Sequence, residues 1–111
     1  MTYQRFRSLI YDALECVDYE QFVVECGGSV DDPLCVLPFV WAYSHSPECR
    51  TIRAETGLSQ VKFADAYGIA QRSVENWESD SETAGHRAPA ATLSMLAFAV
   101  LCDLLGEETE D

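Results

Sequence analysis

Residues 58–78 read LSQVKFADAYGIAQRSVENWE, and this stretch decides the fold. Ser59 offers a capping oxygen to a first helix, which leaves Gln60, Val61 and Lys62 in its opening turn. Phe63, Ala64 and Tyr67 then recur at helical spacing. Gly68 follows, where the chain has to turn through positive φ. Ile69 opens a second segment whose inward stripe is Val74, Trp77 and the stem of Glu78, with Ala64 small enough for two helices to cross closely. The polar residues left over on the second helix are Gln71, Arg72, Ser73 and Asn76.

Leu58-Ser59-Gln60, Phe63-Ala64, Gly68-Ile69, Val74 and Asn76-Trp77-Glu78 together resemble the helix-turn-helix of the Cro/CI-type repressors, the XRE family. Ile52-Arg53 and Thr56-Gly57 extend the likeness upstream, and Pro89, Leu93 and Leu96-Ala97 extend it downstream. It covers residues 46–105, a little over half of the chain. The resemblance implies an all-α, five-helix, lambda-repressor-like helix-turn-helix bundle that binds double-stranded DNA as a homodimer on an inverted repeat. It is silent on residues 1–45, which form an N-terminal helical extension for packing or interaction, and on an acidic tail at 106–111. Two departures stand out. Ala70, a poor cap, occupies a place where the family often has Ser, Thr or Pro, and Ser79-Asp80-Ser81-Glu82 follows where Gly is often found.

Arg, Gln and Asn pair bidentately with base edges. Gln71, Arg72, Ser73 and Asn76 are therefore the expected base contacts, with Arg72 on guanine and Gln71 on adenine. The plainer reading is a solvated helix face with Arg72 paired to Glu75 or Asn76. Ser59, Gln60 and Lys62 are the expected phosphate contacts, at a helix start whose free N–H groups favour an anion. For Arg50, Arg53 and Arg87, surface salt bridging has at least an equal claim.

The formal charge of −12 is unusual for a nucleic-acid binder, and its distribution matters more than its sum. Residues 1–45 hold two basic and seven acidic side chains, residues 46–90 hold five and seven, and residues 91–111 hold none and five. All of Arg50, Arg53, Lys62, Arg72 and Arg87 thus fall in the segment that resembles a DNA-binding domain. Screening over about 8 Å at physiological salt weakens the repulsion of phosphate by distant acids. Non-specific affinity should still be low, so base-edge contacts must carry an unusually large share of the binding.

Cys16, Cys26, Cys35, Cys49 and Cys102 include no CxxC pair and are odd in number, which reads as buried free thiols in a reducing cytoplasm. His45 and His86 are isolated and no zinc-finger spacing occurs, so no metal or other cofactor is expected. No phosphate loop or nucleophile motif is present and the carboxylates are spread as solvating charge, so the chain is not expected to be an enzyme. The opening MTYQRFRSLI lacks the apolar core of a secretory signal, and Asp103 interrupts the apolar run from Ala88 to Leu105. A cytoplasmic protein with no membrane contact is the expectation.

Elsewhere the pattern predicts a helix over residues 3–16 with Phe6, Leu9, Ile10, Ala13, Leu14 and Val17 on its buried stripe. Asp18 caps a second segment containing Phe22, Val23 and Val24, helical or extended, which Gly27-Gly28 ends. Asp32-Pro33 starts a third helix, with Pro38 poised to kink it, and Ser46-Pro47 starts a fourth that Gly57 closes. Trp77 is expected in the core, whereas Trp41 and Tyr43 suit either core or interface. Pro89 falls in the first turn of the last helix. That helix has two apolar faces: Leu93, Leu96, Ala97, Val100 and Leu104 on one, and Met95, Phe98, Cys102 and Leu105 on the other.

Two functions compete. The first is a DNA-binding transcriptional repressor reading a palindromic operator through the helix around residues 70–79. The second is an acidic protein-binding module on the same scaffold, an antitoxin or a phage or mobile-element inhibitor that mimics DNA and meets a protein partner through residues 1–45. Clustering of Asp31, Asp32 and the other acids on one face would favour the second.

Overall fold

The computed structural model describes residues 1–26, 36–79 and 88–106. Within them the chain is all-α, with seven helices and no strand. These are α1 (Tyr3–Glu15), α2 (Tyr19–Cys26), α3 (Leu37–His45), α4 (Cys49–Thr56), α5 (Gln60–Ala66), α6 (Gln71–Glu78) and α7 (Ala90–Leu104). The chain divides into two compact units, one of Met1–Ser46 with Leu101–Asp111 and one of Pro47–Val100. The described part of 46–105 holds four helices where five were expected, and residues 80–87 lie outside the description.

In the first unit α1 packs on α2 and α3. Thr2 caps α1, its hydroxyl accepting from the Arg5 N–H at 3.1 Å. Phe6, Leu9, Ile10 and Ala13 are buried as the periodicity predicts, but Leu14 and Val17 are 52% and 89% exposed. The reason is angular for Leu14, which sits about 100° around the helix from Ala13. Val17 lies past the helix end, where Cys16 is already extended (φ −82°, ψ 146°). Residues 19–26 are helical rather than extended. Asp18 caps them with a 2.9 Å bond from the Gln21 N–H, and burial falls on Phe22 and Cys26 while Val24 points to solvent.

The Asp32-Pro33 start and the Gly27-Gly28 stop lie outside the described residues. Pro38 falls in the first turn of α3, where the missing N–H costs no helical bond, and not at a kink in the second turn. The fourth helix begins later than Ser46-Pro47 suggests. The Ser46 N–H is committed to the Ala42 carbonyl at 2.9 Å, ending α3, and Glu48 holds the capping position of α4 without a side-chain bond. An aromatic cluster fills the unit. Phe6 and Phe39 both stack near Tyr43, while Tyr19, Phe22 and Trp41 meet edge and tilt at ring separations of 5.7–6.4 Å. Tyr43 is thus a core residue, and Trp41 is half-buried with its ring 4.1 Å from that of His45.

In the second unit α4, α5 and α6 pack on one another around Ile52, Phe63, Ala64 and Val74, all buried. Two left-handed glycines shape it: Gly57 (φ 71°) ends α4, and Gly68 (φ 66°) turns the chain between α5 and α6. Trp77, expected in the core, is only half-buried. Pro89 precedes α7 and supplies the carbonyl that accepts from the Leu93 N–H at 3.0 Å, so it sits one residue before the first turn. On α7 Leu93, Leu96, Ala97, Val100 and Leu101 are buried, whereas Leu104 is 41% and Met95 65% exposed. Among the described residues no helix is long and apolar enough to cross a membrane. The acidic end from Glu107 to Asp111 lies outside the description.

Phe22 is fully buried and Val24, two residues on, is 81% exposed. Phe22→Ala is therefore expected to cost about 3–5 kcal/mol of unfolding free energy. Val24→Ala should stay within about 0.5 kcal/mol. Urea denaturation of the two variants measures the contrast.

Candidate nucleic-acid interface

Glu78, at the C-terminal end of α6 and only 7% exposed, gathers bonds from Cys49, Arg50, Arg53 and Gln60. Arg53 of α4 grips its carboxylate with two bonds, Nε to Oε2 at 2.7 Å and Nη2 to Oε1 at 2.8 Å. The third guanidinium nitrogen of Arg53 donates to the Leu58 carbonyl at 2.9 Å, which reaches the start of the α5 segment. Gln60 of α5 donates to Oε1 at 3.1 Å, and the Cys49 thiol lies 3.6 Å from Oε2. Arg50 donates to the backbone carbonyl of Glu78. Both elements that flank α6 are thereby tied to one carboxylate.

Burial alone would raise the Glu78 pKa. The Arg53 pair, then Gln60 and Cys49, more than offset it and hold the group below its ordinary value. The same pair raises Arg53 above its ordinary value, against desolvation. Desolvation and the adjacent Glu78 push the Cys49 thiol up to about 12, and burial with a 3.2 Å bond to Glu25 pushes Cys16 up to about 11. These thiols are protonated and poor nucleophiles at neutral pH. Cys16, Cys26 and Cys49 are buried and Cys102 is half-buried, all four outside any disulfide, and Cys35 lies outside the described residues.

The opposite side of α6 carries the candidate base contacts. Ala70 stands at its N-cap position in extended conformation and makes no side-chain capping bond. Val74 and Glu78 face inward, while Gln71, Arg72 and Glu75 are exposed and Asn76 is half-exposed beside them. At about 100° per residue, Glu75, Arg72 and Asn76 share one outward arc, with Gln71 at one margin, about 20° from the Glu78 row, and Ser73 on the other flank. Ser73 and Asn76 are both half-buried, Ser73 lying about 60° beyond Asn76 around the helix. Gln71 donates to Glu75, Nε2 to Oε2 at 2.9 Å, a pairing different from the one of Arg72 with Glu75 or Asn76 in the plainer reading. On sequence alone Glu75 is offered as a partner of Arg72 and not of Gln71. Its position four residues after Gln71 was the available signal, since such pairs meet on a helix surface.

The expected phosphate contacts separate into three situations. Ser59 caps α5, its hydroxyl oxygen accepting from the Lys62 N–H at 3.2 Å. Lys62 is exposed. Gln60 is half-buried and directed at Glu78, because a buried anion with open lone pairs recruits the nearest amide donor. Arg53 is an interior clasp and not a surface salt bridge, whereas Arg87, His86, Asp31 and Asp32 lie outside the described residues. Among the described residues no cluster of three or more His, Cys, Asp or Glu could hold a metal ion. No family model, curated protein or solved structure matches this chain.

Glu78→Gln and Arg53→Met each strand a partner in a largely dry site. Each is expected to cost about 3 kcal/mol, the low end for a broken buried pair because solvent reaches part of Arg53. Because the folded-state pKa of Glu78 is depressed, its contribution is complete above the unfolded carboxylate value of 4.5 and is lost as pH falls through the folded value. Denaturation midpoints of wild type and Glu78→Gln should therefore converge on acidification.

Proposed function

We propose that the chain is a DNA-binding transcriptional regulator, acting as a repressor that reads a palindromic operator with α6. The observation that carries this reading is the outward arc of α6. Arg72 and Asn76 stand there with the exposed Gln71 at the margin, and the buried side of the helix is anchored by Val74 and the Glu78 clasp. Rigid placement of the donors matters because bidentate pairing tolerates little error in angle. In this reading Arg72 addresses guanine O6 and N7, and Gln71 addresses adenine, held in a fixed rotamer by Glu75. Asn76 lies at the edge of the contact and Ser73 on its flank. Lys62 and Ser59, with the remaining amide capacity of Gln60, meet the phosphate backbone and set the register. Two copies reading inverted half-sites would occupy a promoter and block polymerase.

Support also comes from the placement of charge. Lys62 and Arg72 are exposed in the second unit, while residues 1–45 carry a net charge of −5. That arrangement lowers indiscriminate phosphate binding and leaves discrimination to base edges.

Selection of bound sequences from a random duplex pool at low salt is expected to enrich an inverted repeat with half-sites about 10 base pairs apart. Replacing Gln71 and Arg72 together by Ala should remove the enrichment while the helical circular dichroism stays unchanged, each lost contact costing about 1–3 kcal/mol. Glu75→Ala, which releases Gln71, should broaden the preference at one base of each half-site. If the pool yields no enriched sequence while the protein copurifies with a stoichiometric partner from its host, the acidic protein-binding module takes the place of the regulator.

A further inference from the structure

The charges of α1 are arranged against its own dipole. The only basic side chains of residues 1–45, Arg5 and Arg7, lie in its first half, whereas Asp12 and Glu15 lie in its second half and Asp18 just beyond. No acid occupies the first turn and no base the last. A helix N-terminus favours anions and a C-terminus cations, so this order brings the isolated helix nothing. On the face of Arg7 and Glu15, which Arg5 and Asp12 do not share, it is however self-complementary: a second α1 running antiparallel sets Arg7 against Glu15.

The same helix leaves an apolar strip outward. Tyr11 and Leu14 are 58% and 52% exposed, Tyr3 is exposed beside them, and Val17 follows at the helix end. The Arg7 guanidinium lies over the Tyr11 ring, 5.7 Å from its centre, and the Glu15 side chain is exposed. At about 100° per residue Tyr3, Arg7, Tyr11, Leu14 and Glu15 occupy one arc, which adjoins the core arc of Phe6, Leu9, Ile10 and Ala13 on the side of Tyr3 and Leu14.

We propose that this face of α1 is where two copies of the chain associate, helix antiparallel to helix, about a two-fold axis passing at Tyr11. Arg7 and Glu15 are each four residues from Tyr11, about 6 Å along the helix. The axis therefore places Arg7 of each copy opposite Glu15 of the other and brings the Tyr11 rings together. Such a contact is isologous, with each pairing made twice. A single helix face covers less than the roughly 800 Å² per partner of a standard interface, so the association is reversible and concentration-dependent. The inference rests on the DNA-binding proposal only for its need of paired half-sites; the surface argument is independent of it.

The test is sedimentation velocity on the full chain without DNA, from low to high micromolar concentration. Wild type is expected to shift from monomer to dimer across that range. Glu15→Lys should weaken the dimer about tenfold, since it turns two attractive pairs repulsive. The exchange Arg7→Glu with Glu15→Lys should restore it to within about threefold of wild type. Tyr11→Glu with Leu14→Glu should weaken it about a hundredfold, with far-UV circular dichroism unchanged. A chain that stays monomeric throughout, a dimer indifferent to Glu15→Lys, or an exchange that gives no rescue would each overturn the proposal. A monomer that still selects single half-sites overturns the dimer contact alone, and a rescued dimer that selects no DNA overturns the DNA reading alone.

Discussion

One carboxylate organises the second unit. Glu78 terminates α6, yet its bonds go to α4 through Arg53, to α5 through Gln60, and again to α4 through Cys49. Apolar packing of Ile52, Phe63, Ala64 and Val74 brings the three short helices together, but packing is non-directional and tolerates sliding. A bidentate guanidinium–carboxylate pair does not tolerate it, because both bonds need one in-plane geometry. The desolvation that makes Glu78 costly to bury also makes each of its partners obligatory. Helices of eight, seven and eight residues have little stability of their own, so their mutual angle has to be set by something other than helix propensity. The clasp is the polar device that sets it.

That dependence explains which parts of the site were legible in the sequence. Ser59, the glycine turn at Gly68, and the inward Val74 and Glu78 follow from spacing and cap chemistry, which are local. The outward position of Arg72 and Asn76 follows from the same periodicity, whereas Gln71 shares the row of Glu78 and is exposed because it opens the helix. What spacing could not give is the partner of each polar side chain. Arg53 is twenty-five residues from Glu78 in sequence, and nothing local distinguishes its guanidinium from that of a surface arginine. Gln60 was assigned to phosphate because it opens a helix; only the tertiary fold brings a buried anion within its reach.

The errors in the first unit have a common physical origin as well. Leu14 and Val17 belong by spacing to the apolar stripe of α1, but a short helix in a small unit buries only a narrow arc. Apolar residues at the margin of that arc stay exposed, as much of any small protein's surface does. The boundaries moved for a different reason. Ser46-Pro47 looks like a helix start, yet the preceding helix uses the Ser46 N–H to finish its own last turn, so the next helix waits until Cys49. Two helices competing for one residue cannot be resolved by either one's local pattern.

The thiols follow the logic of the clasp. Cys16 donates to Glu25, Cys26 lies 3.7 Å from Asp12, and Cys49 lies 3.6 Å from Glu78, so each buried thiol sits beside a carboxylate. In a chain with nineteen acids and seven bases there are too few cations to pair every carboxylate. A thiol is a weak neutral donor that can sit in an apolar wall and still turn a proton toward an oxygen. The arrangement lets a strongly acidic chain satisfy part of its carboxylates without spending arginine or lysine on them, and it keeps Cys16 and Cys49 protonated in return. Among the described bases of the second unit, Arg53 is committed to the interior while Arg72 and Lys62 are exposed. In the proposed regulator the side chain most needed at a base edge is thus spared structural duty, because Arg53, Gln60 and Cys49 serve the buried carboxylate from the other side.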